Sequence, residues 1–330
     1  MTKTMAEERR LQLEQYLQQI VSDPVLTSSE MFIEYFKKLQ MDTFNMPTVQ
    51  IILRVFLPDG SPVELNIQTS DNAERVLQAA IYRLSVSREL TEYFSLFITH
   101  KEANGPFTVV KRIAGFELPF LTIWNLEDDL FQIEIRKWYM TPSTDAMLMG
   151  SSNAIHLLYI QAVQEFQMNW TRPTKEQKQE LESLLEKGNK CEFLELTQKV
   201  EFYGYLQVGS CTSNYPEPDS EVTVSIGSNE MNCCFQTPGG HTENLRLNIK
   251  DLNCWHVNLF QPKKPEVLST NHQQLEFKFQ YGQGSSPRWI TIRTGQAFLL
   301  STYLKKILLE FPVQKFKEEL EIVSFKDLRC

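Results

Sequence analysis

The stretch VQIILRVFLPDGSPVELNIQTSDNAERVLQAAIYRL, residues 49–84, decides the fold of the amino-terminal half of the chain. Two β-rich runs, VQIILRVFL (49–57) and PVELNIQ (62–68), flank Pro58-Asp59-Gly60, a turn signal that folds one strand back on the other. The cluster Thr69-Ser70-Asp71-Asn72 then offers N-cap residues, and Glu74 falls in the first helical turn. Val76, Leu77, Ala80, Ile81 and Leu84 follow at helical spacing. The order is strand, strand, helix.

Downstream, YFSLFIT (93–99), FTVVKRI (107–113), FLTIW (120–124) and FQIEIRKWYM (131–140) read as further strands, so 48–140 has the order of a ubiquitin-like roll. Residues 141–204 switch to helical periodicity, with Ile155, Leu158, Tyr159, Ala162, Val163 and Phe166 in one element. Thr174 opens a second helix that Gly188-Asn189 closes, and Phe193, Leu194, Leu196 and Val200 mark a third. From 205 onward seven β runs separated by turn residues suggest a small barrel or orthogonal sandwich, with Trp289 in its core. The helix QAFLLSTYLKKILLEF (296–311) closes it with a broad apolar face. Upstream, 7–40 reads as helices carrying Leu11, Leu17 and Ile20, then Met31, Phe32, Tyr35, Phe36 and Leu39. The expected fold class is α+β and multi-domain, with segments at 1–44, 48–140, 141–204 and 205–330.

The 330 residues exceed the about 100–200 of an ordinary domain, which fits this division. Lys and Arg number 33 against 41 Asp and Glu, and the resulting net charge of −8 argues against nucleic acid as a partner, because phosphate recognition needs cationic surface. No apolar run reaches the about 20 residues that span a bilayer, and MTKTMAEERRLQLEQ is charged where a signal peptide is apolar, so a cytoplasmic protein is expected. The six cysteines include no C-x-x-C pair. A zinc site or disulfide framework is therefore not expected, and most of these cysteines read as small buried residues.

Catalytic signatures are missing: the sequence has no G-x-S-x-G, H-E-x-x-H, P-loop or G-x-G-x-x-G. None of the five histidines stands four residues from another. Gly239-Gly240 and Gly282-Gln283-Gly284 lie between strands and read as turns. Neither an enzyme, a cofactor nor a metal is expected.

A roll, a short helical module and a seven-stranded unit with a carboxy-terminal helix resemble a FERM domain, whose third lobe has the fold of a phosphotyrosine-binding (PTB) domain. Several short motifs sharpen the resemblance. RRLQLEQYLQ (9–18) looks like the helix at the back of a phox-homology (PX) domain. LPDG (57–60), SDN (70–72) and EYFSLFI (92–98) look like the first FERM lobe of sorting nexins, while YGYL (203–206), CW (254–255) and RWITI (288–292) look like their later lobes. From Glu7 to Phe311 the chain is similar to the PX-FERM group of sorting nexins.

That resemblance implies a non-enzymatic endosomal cargo adaptor. Its third lobe would bind NPxY/NxxY motifs of receptor tails as a strand added to the fifth strand of the lobe, and it would sit peripherally on early endosome membranes. The matching positions are Asn253, Cys254, Trp255, His256 and Val257, with Trp255 at the cargo-binding tryptophan, and a second wall is expected from Leu304, Leu308 and Phe311. Read without the family, a strand tryptophan is more often core, and Leu304 and Leu308 would simply close the barrel.

PX domains also imply phosphatidylinositol 3-phosphate binding, and Arg9 matches a position that reaches the inositol ring. Neither the Arg-Arg-Tyr/Phe strand motif nor the proline-rich loop of a PX domain occurs in this sequence, so 1–44 reads as the last helices of a shortened PX domain, loosely held and weak toward lipid. A membrane-surface or small-GTPase effector acting through the first lobe, with a Ras-type GTPase as its partner in the second case, is the alternative, with Arg54, Arg75, Arg83, Lys111 and Arg112 as its basic edge and Glu64 and Glu74 diluting the field.

Overall fold

Strands β1 (Gln50–Phe56) and β2 (Pro62–Gln68) pair antiparallel across a tight turn. The Leu57 amide donates to the Ser61 carbonyl at 2.9 Å, the Gly60 amide to the Leu57 carbonyl at 2.8 Å, and the Ser61 amide to Asp59 Oδ1 at 2.9 Å. Gly60 holds φ +85°, where a Cβ would strain the turn. In β2, Val63, Leu65 and Ile67 are buried and the residues between them exposed, the period-two signature of a half-buried strand. Helix α1 (Glu30–Thr43) precedes this hairpin, and α2 (Ala73–Arg83) follows it, capped where the Asn72 side chain accepts from the Arg75 amide at 2.9 Å.

Strands β3 (Phe94–Lys101), β4 (Phe107–Arg112) and β5 (Phe131–Lys137) complete a five-stranded sheet in the order β2-β1-β5-β3-β4. FLTIW is not a strand. It forms helix α3 (Pro119–Trp124) instead: Pro119 has no amide for a ladder but suits a first helical turn, and the buried pair Leu118 and Leu121 stands three residues apart. The computed structural model describes residues 29–101, 107–126, 128–259, 275–282 and 287–310, with parts of 5–27.

Helices α4 (Ser152–Gln167), α5 (Lys175–Lys187) and α6 (Lys190–Thr197) form the middle lobe. A capping box between Thr174 and Gln177 opens α5, and Gly188 at φ +67° ends it. The last lobe is one seven-stranded sheet of β6 (Leu206–Ser213), β7 (Ser220–Gly227), β8 (Glu230–Gln236), β9 (Thr242–Asn248), β10 (Leu252–Leu259), β11 (Leu275–Tyr281) and β12 (Arg288–Arg293). Its order is β10-β11-β12-β6-β7-β8-β9, and helix α7 (Ala297–Glu310) packs across it.

Two cores run across lobe boundaries. One joins Leu53, Val55 and Ile81 of the first lobe to Leu158, Leu181 and Phe193 of the second. The other joins Phe97, Val109 and Trp138 of the first to Val224, Phe277, Leu300 and Leu304 of the third. Buried polar groups stitch the junction: Arg136, 3% exposed, reaches Glu134, Gln164 at 2.6 Å and Glu165 at 3.3 Å. Asp145, fully buried, accepts from Tyr139, from Tyr203 at 2.6 Å and from Gln198 at 2.9 Å. Arg136 is paired with carboxylates, and Asp145 is satisfied by neutral hydroxyl and amide donors, so each buried charge is hydrogen-bonded.

A few contacts tie helix α1 to the first lobe. Gln40 accepts from the Leu118 amide at 3.0 Å and donates to the Phe116 carbonyl at 3.1 Å, while the Phe36 and Phe116 rings lie 5.3 Å apart. None of the residues of α1 is fully buried, and Met31, Tyr35 and Leu39 are exposed.

Candidate functional site

β10 is the outermost strand of the last sheet, paired only with β11 among the described residues. Antiparallel register sets Trp255 against Phe279 and Val257 against Phe277, so both pack toward the core; His256 lies opposite Lys278 on the outer face. Trp255 is half-buried, and its indole Nε1 donates to Ser301 Oγ at 2.9 Å, fixing the ring against α7. Asn253 is exposed and donates to the Gly282 carbonyl at 3.3 Å, and Cys254 is half-buried.

The helix side of this seam differs from expectation. Leu304 is fully buried, so it props the wall from beneath; Leu308 is only partly buried. Because Ser301 meets Trp255, the stripe of α7 turned toward β10 is Phe298, Ser301, Lys305 and Leu308 at helical spacing. Phe298 is 62% exposed. Phe298 and Ser301 escape sequence reasoning, since choosing a helix face depends on where Trp255 docks. Phe311 lies outside the described residues.

Trp289 is not a core residue. Ile290 and Ile292 take the inward positions of β12, so parity turns Trp289 outward, where it stacks on His256 with ring centroids 5.6 Å apart. The cysteines also depart from expectation: Cys211 and Cys233 are buried, Cys234 and Cys254 are half-buried, and Cys191 is exposed. Burial pushes the Cys211 thiol up to about 11.

Of the basic edge of the first lobe, Arg54, Lys111 and Arg112 have internal partners, while Arg75 and Arg83 are exposed. Arg54 pairs with Glu64 at 3.3 Å and Lys111 with Glu117 at 2.5 Å. Arg112 donates to Ser95 at 2.9 Å and lies over the Trp138 ring, with its pKa lowered by burial. A cavity of about 370 Å³ between α2 and β3 is lined by Glu74, Glu89, Glu92, Arg88 and Arg112, a mixed set without a matched acid and base. Arg9 is exposed on an amino-terminal helix. Among the described residues no helix is long and apolar enough to cross a membrane, and no cluster of His, Cys, Asp and Glu could hold a metal ion.

Four family models match in chain order: the PX domain at 1–39, the sorting nexin 17/27/31 FERM F1 lobe at 51–140, the sorting nexin 17/31 FERM F2 lobe at 141–201, and the sorting nexin 17 FERM C-terminal domain at 204–312. The fold is that of a FERM module. A solved MyTH4-FERM domain of Dictyostelium discoideum myosin VII shares it, with a TM-score of 0.58 at 10% identity, over 85% of this chain and 64% of that one. Sorting nexin-31 of Xenopus laevis is 72% identical, over 98% of this chain and 75% of its own length. Human sorting nexin-31 is 40% identical, over 98% and 74%. Zebrafish (Danio rerio) sorting nexin-17 is 34% identical, over 96% and 68%. The chain therefore belongs to the sorting nexin 17/31 family, a family of trafficking adaptors built on PX and FERM domains.

Proposed function

We propose that this chain is a non-enzymatic cargo adaptor of the endosome that binds NPxY/NxxY motifs in receptor cytoplasmic tails. The tail adds as a strand to β10, against Trp255 and α7, and is thereby sorted for recycling. The observation that carries this reading is the meeting of an outermost strand with a half-buried tryptophan fixed to the neighbouring helix. An added strand gains main-chain hydrogen bonds along β10, while alternate side chains enter the seam lined by Trp255, Phe298 and Leu308. Aromatics in such positions dominate binding energy because they exclude water over a large area at little entropic cost.

Peripheral placement on early endosome membranes rests on tail binding and the FERM surface; the family ligand of the PX segment is phosphatidylinositol 3-phosphate, but Arg9 stands here without the strand motif that grips the phosphate, so lipid binding by this segment is weak. The Ras-type GTPase reading gains no support from the first lobe. Its outer strand β2 exposes Glu64, Asn66 and Gln68, and Arg54 is paired with Glu64. Titration of a labelled NPxY peptide, with its tyrosine unmodified, phosphorylated or replaced by Ala, tests the proposal. Saturable binding that the Ala peptide loses is expected; no binding of any form to folded protein overturns it.

A further inference from the structure

The strand-addition geometry has two sides, and only one faces α7. Side chains of a bound strand alternate, so half of them stand beside His256 on the outer face of β10, β11 and β12. Register fills that face with Cys254, His256 and Asn258 from β10, Gln280, Lys278 and Glu276 from β11, and Trp289, Thr291 and Arg293 from β12.

The charges there are unevenly matched. Glu276 and Arg293 approach each other at 3.5 Å, and Arg293 also meets Asp219 at 3.4 Å. Lys278 has no carboxylate within ion-pair distance among the described residues; its Nζ lies 5.1 Å from the centre of the Trp289 ring. Trp289 is 37% exposed, and its ring leans from β12 across β11 to stack on His256 at an interplanar angle of 23°. An exposed indole that holds the Lys278 ammonium over its ring and stacks on the His256 imidazole is a platform whose positive charge comes from Lys278, and it reaches toward the edge strand that would receive cargo.

We infer that His256, Lys278 and Trp289 form a second specificity element of the cargo groove, reading an acidic side chain at the outward-facing positions of the bound strand. The inference rests on the strand-addition reading above. A residue directly opposite His256 places its Cβ about 5 Å from the histidine's, and a glutamate from there reaches toward Lys278. The chain carries a net charge of −8, which repels an acidic peptide at long range, so a local cation is what would select one. Cargo tails would then be sorted by two features at once: an aromatic-bearing turn on the α7 side and acidic residues spaced two apart on the other.

The test is a set of NPxY peptides carrying Glu or Gln at each successive position of the strand-forming segment, titrated against wild type, Lys278→Gln, Lys278→Glu and Trp289→Ala, with folding checked by circular dichroism. For wild type, Glu is expected to bind about two- to fivefold more tightly than Gln at alternate positions only. Lys278→Gln removes that preference and Lys278→Glu reverses it. Trp289→Ala weakens the preference, and added salt diminishes it in wild type. A phosphoserine arm at the same positions separates a requirement for carboxylate from one for any anion. Equal Glu and Gln affinities in wild type, or a preference that survives Lys278→Glu, overturn this inference and leave strand addition standing. If no peptide binds folded wild type, the strand-addition reading falls and this one with it.

Discussion

The indole nitrogen of Trp255 donates to the hydroxyl of Ser301 at 2.9 Å, tying the outermost strand of the last sheet to the helix that crosses it. The bond satisfies a polar atom that burial would otherwise penalise and holds the ring at the seam between strand and helix. It also separates two roles that a strand tryptophan can have. Trp255 is packed against the core at one edge and accessible at the other.

Trp255→Ala is expected to weaken NPxY-peptide binding by tenfold or more, since an aromatic hot spot contributes about 2 kcal/mol or more. Its thermal midpoint should fall only modestly. Trp255→Phe keeps a ring but loses the bond to Ser301, so it should retain an intermediate affinity. Fluorescence polarisation with a labelled peptide measures both; equal affinity in wild type and Trp255→Ala would count against the groove.

Two leucines on α7 should separate function from stability. Leu308→Asp sets a carboxylate at the half-buried seam, and binding is expected to drop because that charge must be desolvated to admit a peptide. Leu304→Ala, at a fully buried position, should cost about 2–5 kcal/mol of stability while any protein that folds still binds. Denaturant midpoints beside peptide titrations distinguish them, and identical profiles would refute the assignment of the two faces.

Glu310 at the end of α7 accepts from the amides of Met140 and Thr141 at 2.8 and 3.0 Å and from the Thr141 hydroxyl at 3.1 Å, latching the groove helix to the junction of the first two lobes. Glu310→Ala leaves two amides without this acceptor, so hydrogen exchange at 140–141 and along the last turn of α7 should accelerate. Unchanged exchange would mean that the latch contributes nothing to the docking of the lobes.

Tyr139, Tyr203, Tyr205 and Tyr303 all have pKa values raised above the ordinary tyrosine value of 10, with burial the first cause in each. A pKa raised in the folded state means that the native protein holds the proton more tightly than the unfolded chain. Stability from these groups is fully present below pH 10 and is lost as pH climbs above it. Urea midpoints between pH 8 and 11.5 should be level at first and then decline; a level profile throughout would contradict the burial of these hydroxyls.

Local signals in the sequence carried much of this fold. Pro58-Asp59-Gly60, Asn72, Thr174 and Gly188 each act through a turn or cap that depends on neighbours alone, and each sits where its chemistry requires. FLTIW misleads because a five-residue apolar run suits strand and short helix equally, and only its packing decides. Trp289 misleads by one residue of strand parity, which Ile290 and Ile292 fix once both are seen to be buried. The candidate site was half legible: its proposed strand was suggested by the Cys254-Trp255 pair through the family resemblance, whereas the α7 stripe Phe298, Ser301 and Leu308 depends on how a helix rotates against a sheet.

The claim that cargo adds to β10 is tested most directly by hydrogen exchange with and without a saturating NPxY peptide. The sheet has two outer strands, β10 at one side and β9 at the other, and the first lobe offers β2. Strand addition beside Trp255 should slow exchange over 252–259 and along the facing turns of α7, leaving 242–248 and 62–68 unchanged. Protection confined to 242–248 or 62–68, or none at saturating peptide, would contradict the account.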